Sequence, residues 1–193
     1  MSLQIHGTVS DGWEPLLEQF ESNFERFNEL GASVCVTYEG ETVADLWAGD
    51  RDTEGNPWLE DTIAIVNSCT KGGVALACHL LADRGLLDLD APVAEIWPEF
   101  AHGSKATVTT RMMLNHTTGV AAFRDDLPDG AAFDWDYMCD RVAAEEPWWP
   151  PGTRNGYHLM SFGWVAGELV RRASGRSLGT FFREEVAEPA GSD

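Results

Sequence analysis

The stretch from Ser68 to Arg84 constrains the fold more than any other part of the sequence. Its apolar residues recur so often that a helix built from it has no clear polar face; they include Val74, Leu76, Ala77, Leu80 and Leu81. A helix that is apolar most of the way round is buried in a protein core. Gly85 follows and predicts the end of the helix. We therefore expect a buried central helix over 68–84.

Ser68 and Lys71 lie three residues apart at the start of this helix, so they share one face about one turn from each other. A serine hydroxyl needs an adjacent base to act as a nucleophile. A lysine becomes that base when burial or a neighbouring cation lowers its pKa, and we expect Val66 and residues 74–76 to supply the burial. The helix N-terminus would place peptide N–H groups at Ser68, where an oxyanion would form.

The same spacing has a structural alternative, in which Ser68 is an N-cap and Lys71 keeps its amine in water. Four-residue patterns such as Ser-x-x-Lys also occur by chance. The chain has two lysines, Lys71 and Lys105, against eleven arginines. A sequence that takes its other cations from arginine, yet keeps a lysine one turn after a serine, favours an amine that can lose its proton.

Composition narrows the class of protein. The 193 residues predict one domain, and the formal net charge of −19 argues against binding to nucleic acid or to anionic membranes. Four cysteines without metal-ligand spacing predict a reducing compartment and no disulfides.

The first twelve residues do not resemble a signal peptide, and no apolar run reaches membrane-spanning length, so we expect a cytoplasmic protein. No histidine pair has helical metal-ligand spacing, and we expect neither a metal nor a cofactor.

The remaining pattern places strands first and helices later. A helix is predicted from Trp13 to Leu30, followed by a hairpin of Ser33–Tyr38 and Thr42–Trp47 and a short extended piece, Ile63–Val66. Two strands alone are marginal in water, so either the first helix covers them or further strands are missing. After the central helix the periodicity predicts four more helices, over 109–115, 133–144, 159–173 and 178–186.

Four stretches, taken in order, resemble one superfamily: the serine β-lactamases, penicillin-binding proteins and family VIII carboxylesterases. They are Ser68-Cys69-Thr70-Lys71, the segment 85–93 (Gly-Leu-Leu-Asp-Leu-Asp-Ala-Pro-Val), the segment 113–120 (Met-Leu-Asn-His-Thr-Thr-Gly-Val), and Pro151-Gly152-Thr153 with Tyr157 and Ser174–Leu178. Their order and spacing are most similar to the class C β-lactamase-like family VIII carboxylesterases. The resemblance implies an α/β, β-lactamase/transpeptidase-like fold.

The resemblance also implies roles for three residues. Ser68 matches the nucleophile that becomes acylated, Lys71 the lysine that accepts its proton, and Tyr157 the tyrosine that shares protons with that lysine. A lysine cation lowers the pKa of a nearby phenol, and a shared proton lets the pair act first as base and then as acid. The alternative for Tyr157 is a core ring with a bonded hydroxyl.

Two departures from the family pattern bear on function. The β-lactamase motif Tyr-x-Asn reads Tyr157-His158-Leu159 here, and Leu159 has no side-chain amide for an antibiotic. An ester substrate is therefore favoured. The family's third motif, Lys/His-Thr/Ser-Gly or Trp-x-Gly, has no match after Tyr157.

These departures predict that residues 1–193 are the N-terminal part of one β-lactamase-like domain, with C-terminal sheet strands missing. Residues 1–66 would form the N-terminal helix and hairpin, and residues 67–193 the serine helix and a helical subdomain. A homo-oligomer or a missing C-terminal portion would then complete the site. Loss of one oxyanion N–H costs roughly a hundredfold or more in rate.

Other residues have competing interpretations. Trp148 and Trp149 either line a substrate pocket or pack a loop, and His158 is a third candidate for substrate binding. His116 could be the base of a Ser-His-Asp triad, but no G-x-S-x-G motif surrounds Ser68. We therefore predict that His116 ends a helix.

The sequence thus favours a serine esterase that acts on small-molecule, short-chain esters through an acyl-enzyme. The alternatives are a β-lactamase or D-alanyl carboxypeptidase, and an inactive or incomplete member of the family with a binding or assembly role.

Overall fold

A computed structural model describes residues 3–192 of the chain. The chain divides between Ile65 and Val66 into two compact units. The described part of the first unit, from residue 3 onward, has three strands and one helix, and the second unit has helices joined by short helical turns and loops. Within the described range, no helix has both the length and the apolar character needed to cross a membrane.

Three antiparallel strands form the sheet of the first unit, in the order β1-β3-β2. They are β1 (Ile5–Val9), β2 (Gly31–Tyr38) and β3 (Glu41–Gly49), so the predicted hairpin is confirmed and extends beyond its predicted ends. Strand β1 is not predicted from the sequence, because Gly7 interrupts its short alternating pattern. Gly7 has a φ of +100°, and a Cβ there would lie 1.9 Å from the carbonyl oxygen of Asp45.

Helix α1 (Glu14–Phe27) packs its apolar side on this sheet, where Phe20 is buried against Leu46. The hairpin therefore has both a third strand and a helical cover, which a two-stranded sheet needs to be stable. Asn28 adopts the left-handed conformation, with φ 54° and ψ 46°, and ends the helix. The predicted extension of α1 to Leu30 is therefore wrong.

Between residues 66 and 192 the second unit has five helices, and each begins within two residues of its predicted start. They are α2 (Thr70–Asp83), α3 (Thr110–Leu114), α4 (Trp135–Ala144), α5 (Ser161–Ser174) and α6 (Leu178–Phe182). A π-helical turn, Arg183–Ala187, continues α6. The main core of this unit gathers large side chains from the turns between α2 and α3 and from α3, α4 and α5; they include Trp97, Phe100, Met113, Met138 and Leu169.

One side of α2 is buried and another is open, which corrects the expectation of burial most of the way round. Val74 and Leu81 lie in apolar clusters with residues of α5, and Leu81 also packs with Phe181 of α6. Leu76, by contrast, is 44% exposed and Val66 is 60% exposed. Neither residue supplies the burial expected of it.

Lys105 is a charged side chain with no exposed surface. Its Nζ donates to the carbonyl of Ala143 at 2.8 Å and to that of Glu145, at the C-terminal end of α4. Burial lowers the pKa of Lys105 to about 8, although the negative charges of Glu146 and Glu145 act to raise it. The ammonium group therefore caps a helix end inside the protein.

Candidate active site

Ser68 lies in a 3-10 turn, Asn67–Cys69, that leads directly into α2. Asn67 has a φ of 45°, a left-handed conformation in which asparagine is more common than most residues. Val66, the last residue of the predicted extended piece, is not extended, since it has φ −88° and ψ 3°. Ser68 itself is exposed, so a substrate can reach its hydroxyl group.

Lys71 lies one helical turn after Ser68 and joins it to the rest of the site. Its Nζ donates to Ser68 Oγ at 3.2 Å and to the main-chain carbonyl of Leu159 at 3.2 Å. The same Nζ lies 4.8 Å from the ring centroid of Tyr157 and 5.6 Å from that of Phe162. A cation between a hydroxyl, a carbonyl and two aromatic faces is held in place from several sides.

Tyr157 completes a group of three polar side chains with Ser68 and Lys71. Its side chain is 49% exposed. Hydrogen bonding with Ser68, and then with Lys71, holds the pKa of Tyr157 below the ordinary value for tyrosine. A phenol that loses its proton more readily, beside a serine and a lysine, can take part in proton transfer.

The loop that carries Tyr157 is fixed to the segment after α3 by main-chain hydrogen bonds. In each pair the loop residue donates to a carbonyl at 2.8 to 3.0 Å: Trp148 to Gly119, Gly152 to Thr117, and Gly156 to His116. Gly119 has a φ of +82°, and a Cβ there would lie 2.6 Å from the carbonyl oxygen of Trp149. The family-like segment 113–120 thus serves as the support for the tyrosine loop.

His158, a predicted substrate contact, is buried in this structure. Its side chain is 1% exposed, with Nε2 2.6 Å from Thr118 Oγ1 and Nδ1 3.2 Å from His116 Nδ1. Burial lowers the pKa of His158 to about 4.

The two neighbouring tryptophans differ in position. Trp149 donates from Nε1 to the carbonyl of Arg154 at 3.0 Å, and a Cβ on Gly156 would lie 2.2 Å from its ring. Its ring therefore packs on the residue next to Tyr157. Trp148 is 50% exposed, and its Nε1 donates to the carbonyl of Ala122 at 2.9 Å.

Two elements of the site have no signal in the sequence. The main-chain carbonyl of Leu159 is an acceptor for Lys71 whatever side chain stands at that position. The contacts of His116 with both neighbours of Tyr157 depend on a chain reversal that residue spacing does not reveal. Among residues 3–192, no three side chains of the metal-ligating types lie together.

Comparison with known proteins places this geometry in context. A family model described as Beta-lactamase matches residues 20–193. "Esterase/beta-lactamase LipL" of Mycobacterium tuberculosis is 36% identical over 191 residues, which are 98% of this chain and 44% of that protein.

Two solved structures are similar over nearly the whole chain. A penicillin-binding protein homologue from Caulobacter crescentus has a TM-score of 0.93 and 40% identity, covering 97% of this chain and 51% of that one. A family VIII carboxylesterase has a TM-score of 0.91 and 41% identity, covering 97% and 52%. The chain therefore spans about half the length of these similar proteins.

Proposed function

This chain belongs to the beta-lactamase family, and we propose that it carries the acylation machinery of a serine hydrolase for short-chain carboxylic esters. Its α/β fold is the β-lactamase/transpeptidase-like fold of similar structures, at TM-scores of 0.91 and 0.93. One observation carries the proposal: the Lys71 amine lies 3.2 Å from the Ser68 hydroxyl oxygen. Since the chain spans about half the length of its relatives, the activity of the whole protein is part of the proposal.

Acylation would begin when Ser68 Oγ attacks the carbonyl carbon of the ester. The serine proton passes to Lys71, and the Tyr157 hydroxyl group, which neighbours both side chains, shares it. The peptide N–H of Ser68, at the N-terminal end of α2, is proposed to stabilise the oxyanion. The intermediate collapses as the alkoxide leaves with the proton held by the pair, and the acyl group stays on Ser68.

Deacylation would repeat this sequence, with water as the nucleophile and Ser68 as the leaving group. Lys71 and Tyr157 take a proton from a water molecule, which attacks the carbonyl carbon of the acyl-enzyme. The C–O bond to Ser68 then breaks, the serine oxygen recovers a proton from the pair, and the carboxylic acid leaves. One pair thus acts as base in one step and as acid in the next.

Leu159 supports an ester over a β-lactam. Its side chain is 64% exposed and offers no hydrogen bond, while its carbonyl is already bonded to Lys71. A site that hydrogen-bonds the amide of an antibiotic needs a polar group at such a position. We propose that Trp149, packed beside Tyr157, forms one wall of the acyl pocket, and that Trp148 lies at its edge.

The first experiment is labelling with a fluorophosphonate, followed by intact mass. We expect one adduct on the wild type, none on Ser68→Ala, and slowed labelling of Lys71→Arg, because arginine keeps the charge and cannot give up its proton. Ser104→Ala, an exposed serine outside the site, is the matched control. Equal labelling of Ser68→Ala and wild type would refute the proposal.

A second experiment separates the candidate activities. A β-lactamase or D-alanyl carboxypeptidase is the alternative enzyme, and the name of the M. tuberculosis relative includes both esterase and β-lactamase. We expect faster turnover of a nitrophenyl ester than of a cephalosporin. Preferential cephalosporin hydrolysis would overturn the ester assignment.

Completeness of the site is tested by comparing the 193-residue chain with a longer polypeptide that matches the length of its relatives. Labelling of the longer protein alone would mean that further polypeptide, or a second copy of the chain, completes the site. No labelling of either would favour the non-catalytic alternative, a binding or assembly role. We further propose a cytoplasmic location, supported by four cysteines that are all free thiols.

A further inference from the structure

We propose that His116 is a positioning residue for Tyr157, because its carbonyl and its ring nitrogen hold the two peptide N–H groups on either side of the tyrosine. The proposal rests on the proton-transfer role proposed above for Tyr157. It gives His116 a task beyond ending α3.

The contacts with His116 surround Tyr157. The N–H of Gly156 donates to the His116 carbonyl at 3.0 Å, and the N–H of His158 donates to His116 Nδ1 at 3.1 Å. The rings of His116 and Tyr157 also pack together, with centroids 4.8 Å apart and planes tilted by 51°. The backbone before and after Tyr157, and one side of its ring, are therefore all held by a single residue.

The surrounding hydrogen bonds define where the protons lie. Thr118 Oγ1 accepts from the N–H of Val120 at 3.1 Å and lies 2.6 Å from His158 Nε2. If this hydroxyl donates to Nε2, His158 carries its proton on Nδ1 and donates it to His116 Nδ1, 3.2 Å away. If His116 Nδ1 carried the proton instead, two donors would point at each other, because the peptide N–H of His158 donates to that nitrogen. His116 is therefore neutral, with its proton on Nε2.

The charges near His116 favour this state. The titratable groups that face it are Lys71 from α2, and Tyr157 and His158 from the loop, while Phe162 of α5 adds an apolar ring with its centroid 5.2 Å away. Burial, and then the charge of Lys71, lowers the pKa of His116. The cation beside Ser68 thus also keeps the positioning ring able to accept hydrogen bonds.

The backbone at His116 suggests the variants. Its φ is 65°, a left-handed conformation in which asparagine is also common. His116→Asn keeps that conformation and offers an amide oxygen near the position of Nδ1. His116→Phe keeps a ring against Tyr157 but has no acceptor. The matched control is His79→Asn, an exposed histidine of α2 outside the site.

The test that does not depend on catalysis is NMR of protein labelled with ¹³C at tyrosine Cζ. The chain has three tyrosines, so the Tyr157→Phe variant assigns the Tyr157 signal. We expect the wild type, His116→Asn and His79→Asn to ionise Tyr157 at the same pH. In His116→Phe the midpoint should rise toward that of an ordinary tyrosine, because Tyr157 leaves Ser68 and Lys71. An unchanged midpoint in a folded His116→Phe protein would overturn the proposal, as would equal shifts in the Asn and Phe variants.

The rate of fluorophosphonate labelling is the second readout. Misplacement of a reacting group by about 1 Å can lower a rate by about a hundredfold. We expect a loss of about tenfold or more in His116→Phe and about threefold or less in His116→Asn. If His116→Phe does not fold, His116→Gly replaces it, since glycine adopts the positive φ readily and has no side-chain acceptor; wild-type behaviour in both readouts would then refute the proposal. If the wild type is never labelled, the proposed function fails while the NMR comparison still decides the positioning role.

Discussion

The two lysines of the chain make similar contacts in regions with different tasks. Lys71 donates to a main-chain carbonyl and lies over the ring of Tyr157, while Lys105 donates to two carbonyls and lies 5.1 Å from the ring centroid of Phe100. The difference is in what else each amine meets. Lys71 also bonds the exposed hydroxyl of Ser68, whereas Lys105 has no exposed surface.

A lowered pKa and a partner that can give up a proton are separate properties of these two lysines. Burial lowers the pKa of Lys105 to about 8, so this lysine has the electrostatic feature expected of a catalytic base. Its bonded partners, however, are carbonyl oxygens, which have no proton to give. A lowered pKa indicates a buried lysine. A hydrogen bond to a hydroxyl group indicates a lysine that can accept a proton from a nucleophile.

The largest effect is expected from Lys71→Met. A positioned base contributes about 10²–10⁴-fold to a rate, so labelling of Ser68 should slow by that factor. The free energy of unfolding should change by less than about 1 kcal/mol, because Lys71 is only partly buried. Mass-based labelling rates and urea unfolding measure the two quantities. Labelling of Lys71→Met at the wild-type rate would contradict a role for Lys71 that Lys105 does not have.

Lys105→Met should have the opposite profile. Loss of the ammonium group leaves the buried carbonyls of Ala143 and Glu145 without this donor, and unfolding should require about 2–4 kcal/mol less free energy. The labelling rate per folded molecule should stay within about twofold of wild type, since Lys105 contacts none of the site residues. Unfolding in urea gives the first value. Stability equal to the wild type would show that the buried cation is not a structural cap.

The pH dependence of stability sharpens the same contrast. The pKa of Lys105 is about 8 in the folded protein against an ordinary value of 10.5 for lysine, so the unfolded chain binds more protons between these values. Stability should therefore rise with pH across this window, by at most about 1.4 kcal/mol per pH unit. The difference between wild type and Lys105→Met isolates this effect from the cysteines, which also titrate there. A difference that is flat from pH 8 to 10.5 would contradict it.

The smallest effect is expected from Leu159→Ala. Lys71 bonds the carbonyl of residue 159, which the substitution keeps, so labelling should change by about threefold or less. The measurement is the same labelling rate. A loss as large as that of Lys71→Met would show that the side chain, and not the main chain, holds the amine.

Much of this architecture follows from local patterns. The hairpin and the five helices of the second unit were predictable because alternation and helical spacing repeat over several residues. Strand β1 was not, since five residues centred on Gly7 show too little alternation. The exposed side of α2 was also missed, because apolar spacing shows which residues can be buried and not which neighbours are present to bury them.

The site shows the same limit. The spacing of Ser68 and Lys71 indicates a shared helix face, and the resemblance to a family adds Tyr157 as a third candidate. His158 was predicted to contact substrate, and nothing in its sequence position indicates that its ring lies in the interior. The acceptor that holds Lys71 is a main-chain atom, which no sequence pattern can identify.

The hydrogen bond between Lys71 and the carbonyl of Leu159 also has a consequence for folding, because it joins residues 88 positions apart in the chain. The entropy of closing so long a loop must be offset by packing of α2 with α5 before the amine is held. An isolated segment of the 3-10 turn and α2 would carry the serine and lysine side by side and still lack this restraint. If labelling of Ser68 depends on the held amine, the time at which labelling appears during refolding reports when α2 and α5 dock. It does not report when either helix forms.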